Sequence, residues 1–177
     1  MPARTIRPIT DADREAVIGI FNHYITTGFA AYPDRPVPPA FFNALCGDAH
    51  ACLAVDTDGE IAGFGLLKPF LPFTTFARSA MVSTFIAPAS RDQGNGTLLM
   101  EVVIRTAKKK GIVMLLASIS SKNTESIRFH KKHGFFECGR MYEVGEKFGE
   151  LFDVVWMQKD LVPGPATWKV ETVPLPR

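Results

Sequence analysis

The chain is short of the residues that several functional classes require. Three cysteines, Cys46, Cys52 and Cys138, lack the spacing of a structural metal site, and an odd number does not make a disulfide framework. They read as small buried hydrophobes in a reducing compartment, and none stands in a nucleophile motif. No apolar run approaches the ~20 residues of a membrane-spanning helix. Lys and Arg total 20 against 18 Asp and Glu, and a formal charge of +2 is too weak a field to draw nucleic acid or an anionic membrane. Internal repeats and low-complexity tracts are missing too. The expectation is a soluble, cytoplasmic protein with neither a nucleic-acid nor a membrane partner and no bound metal.

What is present suits one domain. A hydrophobic content of 46% over 177 residues is enough for a full core. The pattern predicts a domain at 1–162 and a proline-rich tail at 163–177 that lies over the surface or a partner. Thr5 to Ile9 reads as a strand, and Thr10-Asp11 caps a helix over Ala12 to Thr27 with an apolar stripe at Ala16, Ile20, Phe21 and Tyr24. Gly28 to Pro36 is a loop carrying Phe29 and Tyr32, and Pro38-Pro39 opens a short helix through Leu45. Ala51 to Val55 and Ile61 to Lys68 form a hairpin around Asp58-Gly59, and Pro69 to Phe76 is a rigid apolar connection.

The stretch Arg91-Asp92-Gln93-Gly94-Asn95-Gly96-Thr97 lies between a strand, Ala80 to Ile86, and a helix, Leu98 to Lys110. Paired glycines let main-chain N–H groups crowd round an anion, and the helix turns its positive dipole end toward the same place. A phosphate fits such a loop, although glycine pairs are also ordinary turn chemistry. The loop has neither the Gly-Lys-Ser/Thr of nucleotide hydrolases nor the three-glycine dinucleotide fingerprint. Ile112 to Ile119 reads as a central strand, reached through the intervening helix and therefore a parallel neighbour of Ala80 to Ile86. Asn123 caps a helix to His133 on which Ser126 and His130 share a face, and Phe135 to Cys138 and Leu151 to Gln158 close the sheet as an antiparallel pair.

This order, β-α-α-β-β-β-α-β-α-β-β, together with Arg91-x-x-Gly94-x-Gly96, resembles the GCN5-related N-acetyltransferase (GNAT) superfamily. A second motif, Asn123-x-x-Ser126-x-x-Phe129-His130-x-x-x-Gly134-Phe135, is similar to another segment of it. Val144 to Asp153, with Gly145, Lys147, Gly149 and Leu151 where the group has tryptophan, resembles phosphinothricin and methionine sulfoximine acetyltransferases, as does the loop of Phe29 and Tyr32. The resemblance implies an α/β fold with a mixed, mostly antiparallel sheet, a central parallel pair and helices on both faces.

It also implies acetyl transfer from acetyl-CoA to a small-molecule amine in a ternary complex, by a homodimer. Thr84, Phe85 and Ile86 would hold the pantetheine arm. The amides of Arg91, Asp92, Gln93, Gly94, Asn95, Gly96 and Thr97 would hold the diphosphate, with Asn123 and Lys132 also on the cofactor. His130 would stand near the thioester sulfur as a proton donor. Phe29, Tyr32, Phe70, Phe73, Met81, Tyr142 and Lys147 would face the acceptor. The group's usual glutamate base aligns with Met81 and its acid-binding arginine with Phe73, which points to an amine with a hydrophobic body. Proton removal then falls to Glu143 or Asp153 through water, or to an amine of low enough pKa. An acetyltransferase for protein N-termini or lysines, and a non-catalytic acyl-CoA binder, are the competing readings.

Overall fold

The computed structural model describes residues 4–162, so the tail expected at 163–177 lies outside the described residues. Seven strands form one sheet in the order β1-β2-β3-β4-β5-β7-β6. They are β1 (Arg4–Pro8), β2 (Ala51–Thr57), β3 (Glu60–Pro69), β4 (Ser79–Ile86), β5 (Met114–Ser120), β6 (Phe136–Lys147) and β7 (Glu150–Asp160). The helices are α1 (Arg14–Thr27), α2 (Phe42–Cys46), α3 (Asn95–Lys109) and α4 (Thr124–Lys132). Only β4 and β5 run parallel, because α3 carries the chain back between them; every other neighbouring pair is antiparallel.

Two apolar layers cover the sheet. On one face Leu99, Met100, Val103 and Ala107 of α3 meet Leu67, Val82, Leu115, Val155 and Met157. On the other, Val17, Ile18, Phe21 and Ile25 of α1 meet Phe42, Leu45, Phe64 and Leu66. Each such side chain contributes up to ~1.5–3 kcal/mol by leaving water, which is what holds helices this short in place. The α1 stripe is rotated from the one expected: Ala16 is exposed, and Tyr24 is half-buried at the margin.

Local chemistry fixes the strand ends. Asp58 and Gly59 both take left-handed φ angles, 52° and 91°, as a two-residue hairpin needs, and Asp56 Oδ1 accepts the Gly59 N–H at 2.8 Å. The Arg7 guanidinium ties β1 to β2 through Asp56 (2.8 Å) and to the turn before α1 through both oxygens of Asp13 (2.8 Å each). That pairing holds the Asp13 carboxyl well below the usual carboxylate range.

Two boundaries differ from expectation. Helix α3 starts at Asn95 rather than Leu98, because Gly94 adopts φ 80° and serves as its cap, so the second half of the glycine loop is the first turn of the helix. Strand β6, expected to stop at Cys138, continues to Lys147 with register shifts at Glu137/Gly139 and Met141/Gly145. It is an edge strand exposed along nearly its whole length, so no alternation of burial marks it in the sequence.

Candidate active site

The site begins where two strands part. β4 stays paired with β3 from Ala80 to Ile86, but its pairing with β5 ends at Met81↔Leu116. Beyond that point Ala117 to Ser120 pair with β7, and the facing edges of β4 and β5 lose their ladder. The Ile86 carbonyl on this edge accepts the Tyr24 hydroxyl at 2.6 Å. Alternation along a strand turns the main-chain groups of Thr84 and Val82 the same way. A cavity of about 450 Å³ fills the cleft, a size that takes a small organic ligand.

One end of the cavity is the glycine loop. Arg91 N–H reaches Pro88 O at 3.4 Å, and Leu98 N–H reaches Gly94 O at 3.0 Å. Between them the N–H groups of Asp92, Gln93, Gly94, Asn95, Gly96 and Thr97 meet no acceptor among the described residues. All six lie at the positive end of a 15-residue helix, an anion site by construction. Buried Asn95 braces the loop by donating Nδ2–H to Ser90 O at 2.9 Å. Gly96 lies against Phe129, where an added Cβ would stand 3.3 Å from the ring. Every loop residue from Arg91 to Thr97 lines the cavity except Gln93, whose side-chain amide donates to Ala89 O at 3.1 Å. Arg91 forms an ion pair with Glu125 of α4.

Helix α4 supplies the opposite wall. Asn123 Oδ1 accepts the Ser126 N–H at 3.2 Å, which leaves the side-chain NH₂ to donate elsewhere. His130 is 3% exposed and packs edge-on against Phe135, with ring centroids 5.0 Å apart. Its Nδ1 lies 2.8 Å from the Ser126 carbonyl, which can only accept, so Nδ1 carries the proton. Nε2 is buried without a partner among the described residues. Burial pushes the His130 pKa below its ordinary value, with the Ser126 carbonyl opposing and His133 adding to the shift. A neutral ring protonated at Nδ1 has its lone pair at Nε2; the proton-donor role expected from the sequence would call for the doubly protonated ring.

The acceptor-side residues divide. Tyr32 and Ser118 both line the cavity. The Tyr32 ring stacks on Phe152 (6.1 Å, 3°), and Phe29 packs edge-on to both Phe148 and Phe152 at 5.7 Å. Lys147, expected to face the acceptor, is 4% exposed and donates to Gly28 O at 2.8 Å and Ala31 O at 2.7 Å. Its ammonium is spent on fastening the loop that carries Tyr32. Burial lowers its pKa, with Asp34 opposing.

Phe29, Phe70, Phe73, Met81, Tyr142, Glu143 and Lys147 do not line the cavity. Phe70 packs edge-on to Phe76 and Trp156, Phe73 is 63% exposed, and Met81 sits at the last pair before β4 and β5 part. Tyr142 and Glu143 fall in the β6 bulge, where Glu143 has φ 48° and its N–H is held by Asp153 Oδ1 at 2.9 Å. The Glu143 side chain is exposed, so neither it nor Asp153, whose carboxylate is also paired with Arg140, is brought to the cleft. Thr84, Phe85, Ile86, Asn123, His130 and Lys132 are.

Sequence reasoning missed Tyr24, Ser118 and Glu125, which also line the cavity. Ser118 was visible as a hydroxyl inside an apolar run, and Tyr24 as the polar-tipped member of the α1 stripe.

The description "Acetyltransferase (GNAT) family" matches residues 17–135 of the chain. The chain is 30% identical over 164 residues to an L-methionine sulfoximine/L-methionine sulfone acetyltransferase of Pseudomonas paraeruginosa, covering 90% of this chain and 95% of that protein. It is 29% identical over 170 residues to a phosphinothricin N-acetyltransferase of Alcaligenes faecalis, covering 93% and 86%. Its fold superposes on the crystal structure of a phosphinothricin acetyltransferase from Sinorhizobium meliloti in complex with AcCoA, with TM-score 0.84, 25% identity and coverage of 96% and 95%.

Proposed function

Because the chain belongs to the acetyltransferase (GNAT) family, we propose that it transfers an acetyl group from acetyl-CoA to the amine of a small molecule while both are bound. The observation that carries this reading is the row of six main-chain N–H groups from Asp92 to Thr97 without a protein acceptor. They open on a cleft between diverging strands. That donor set complements the oxygens of a diphosphate. The β4 edge beyond its last pair with β5, centred on Thr84, complements an amide-bearing arm laid along it, and the Asn123 side-chain NH₂ and Lys132 add donors on the opposite wall.

Amide formation needs the amine nitrogen to attack the thioester carbonyl, the C–S bond to break, and one proton to pass from nitrogen to the departing sulfur. His130 Nε2 is the acceptor atom this chain offers for such a proton, and its lowered pKa keeps the lone pair available at neutral pH. An α-amine with pKa ~8 is already about one-tenth neutral at pH 7, so a strong base is not required. The cations lining the cavity belong to the phosphate loop and α4, and Arg91 is paired with Glu125. The lining also includes Ala30, Tyr32, Val82, Ala117 and Ser118. These features favour an amine with an uncharged, apolar body.

A thiol-release assay with acetyl-CoA and a panel of aliphatic, aromatic and amino-acid amines tests the reading. Turnover confined to glufosinate-like amino acids would remove the apolar acceptor while leaving acetyl transfer standing. Tight CoA binding with no release for any amine would contradict acetyl transfer. We also place the protein in the cytoplasm as a homodimer. Met141, Tyr142, Val144, Phe148 and Leu151 expose apolar surface along β6 and the turn into β7, and an uncovered edge of this kind favours pairing with a second copy. Sedimentation equilibrium reads out the oligomer directly.

A further inference from the structure

We infer that Arg4, in the edge strand β1 three places along the sheet from β4, is a positioning residue for the phosphate loop. This rests on the functional reading above. Arg4 Nη1 donates to the Gln93 carbonyl and lies 3.4 Å from Asn95 Oδ1. An added Cβ on Gly94 would come within 4.0 Å of the same nitrogen. One guanidinium therefore reaches across 89 positions of sequence to the middle of the row of free N–H groups.

Two physical consequences follow. First, a peptide unit whose carbonyl is engaged by a cation on one side has its N–H vector fixed on the other. Asp92 holds a left-handed φ of 59° without being glycine, a conformation that neighbouring contacts help to determine. The Asn95 bond to Ser90 fixes the far side of the loop, and Arg4 fixes the near side. Second, the guanidinium places a full positive charge beside the loop. Its other nitrogens have no partner among the described residues, and a cation near a helix N-terminus is unfavourable unless an anion occupies the site. Arg4 thus sets the loop for a phosphate-bearing ligand and gains from its arrival.

The ligand chemistry is a phosphate ester, from either the diphosphate or the ribose phosphate of coenzyme A, and the test separates these from a general effect on folding. Steady-state kinetics of the full chain and of Arg4→Met and Arg4→Lys are measured with acetyl-CoA, acetyl-dephospho-CoA and acetyl-pantetheine, using an amine turned over by the wild type. Loss of one charge-assisted contact predicts that Arg4→Met raises KM for acetyl-CoA about tenfold with little change in kcat. The ratio of kcat/KM for acetyl-CoA to that for acetyl-pantetheine falls by the same factor, and Arg4→Lys recovers part of it. An equal loss with acetyl-dephospho-CoA assigns the effect to the diphosphate; a loss confined to acetyl-CoA assigns it to the ribose phosphate. An unchanged ratio, whether activity is retained or lost on all three donors, overturns the role of Arg4. A wild type that binds no CoA by calorimetry overturns the functional reading itself, whereas a wild type that binds beside a variant that binds equally well overturns Arg4 alone.

Discussion

Replacing Lys147 by methionine tests how the acceptor wall is built. The ammonium makes two hydrogen bonds, to Gly28 O at 2.8 Å and Ala31 O at 2.7 Å, in surroundings that leave the residue 4% exposed. Hydrogen bonds from a charged donor contribute about 1.5–3 kcal/mol each, and the two carbonyls left behind have no other partner at hand. Methionine refills most of the volume against Phe148, and the cost of burying an ammonium disappears. The balance is a loss of ~2–4 kcal/mol. In a domain of this size each kcal/mol moves the midpoint by about 2–4 °C, so Tm falls by roughly 4–16 °C.

The kinetic effect should be one-sided. Tyr32 loses the anchor of its loop while Asp92 to Thr97 are untouched, so KM for the amine rises several-fold and CoA affinity changes little. Thermal denaturation and two-substrate kinetics read both. A variant with Tm within ~2 °C of wild type and an unchanged amine KM would refute the clamp. A rise in CoA KM alone would tie Lys147 to the cofactor rather than to the acceptor loop.

Other expectations follow from single contacts. Gly94→Val forces a branched side chain into φ 80° and should cut CoA affinity by at least about tenfold, read by calorimetry; affinity within twofold would contradict the loop. His130→Phe should lower kcat more than it weakens CoA binding, because the ring offers a proton acceptor rather than a grip on the ligand. Folded His130 takes up a proton less readily than the unfolded chain, so its contribution to stability is present above the ordinary value of 6.5 and is lost as pH falls below it. The same variant should therefore flatten the decline of unfolding free energy below that pH in urea titrations; an unchanged slope would mean the imidazole is not held neutral. Gly145→Ala would push a Cβ into the Phe152 ring and should cost ~1–3 kcal/mol by overpacking, measured by denaturation, with the Tyr32 stack disturbed.

The parts legible in the sequence are those written by local chemistry. Asp58-Gly59 demands a hairpin, Asn123 caps α4, and Gly94-x-Gly96 marks the passage from a strand into an amphipathic helix; each of these turns stands where expected. The parting of β4 from β5 is not encoded locally, because both segments keep a strand-like pattern past the Met81–Leu116 pair and only the end of their ladder reveals the cleft. The second half of β6 was illegible because an edge strand exposed on both faces, bent at Glu143, has no period to read. Lys147 and Arg4 look like surface cations in one dimension. Their partners, Gly28 and Ala31 in one case and Gln93 in the other, are carbonyls on distant segments, and main-chain acceptors leave no mark in side-chain sequence. Family resemblance carried Thr84 to Ile86, Asn123 and His130 to the cavity but placed Glu143 and Tyr142 where the bulge turns them to solvent.

The central claim is that the free main-chain N–H groups from Asp92 to Thr97 grip the diphosphate of coenzyme A. Titration of ¹⁵N-labelled protein with CoA, followed by two-dimensional NMR, addresses those groups one by one. The account predicts that their resonances move downfield together and saturate at one dissociation constant, with smaller shifts at Thr84 and Ile86. Saturable binding that leaves the resonances of Asp92 to Thr97 in place would contradict it.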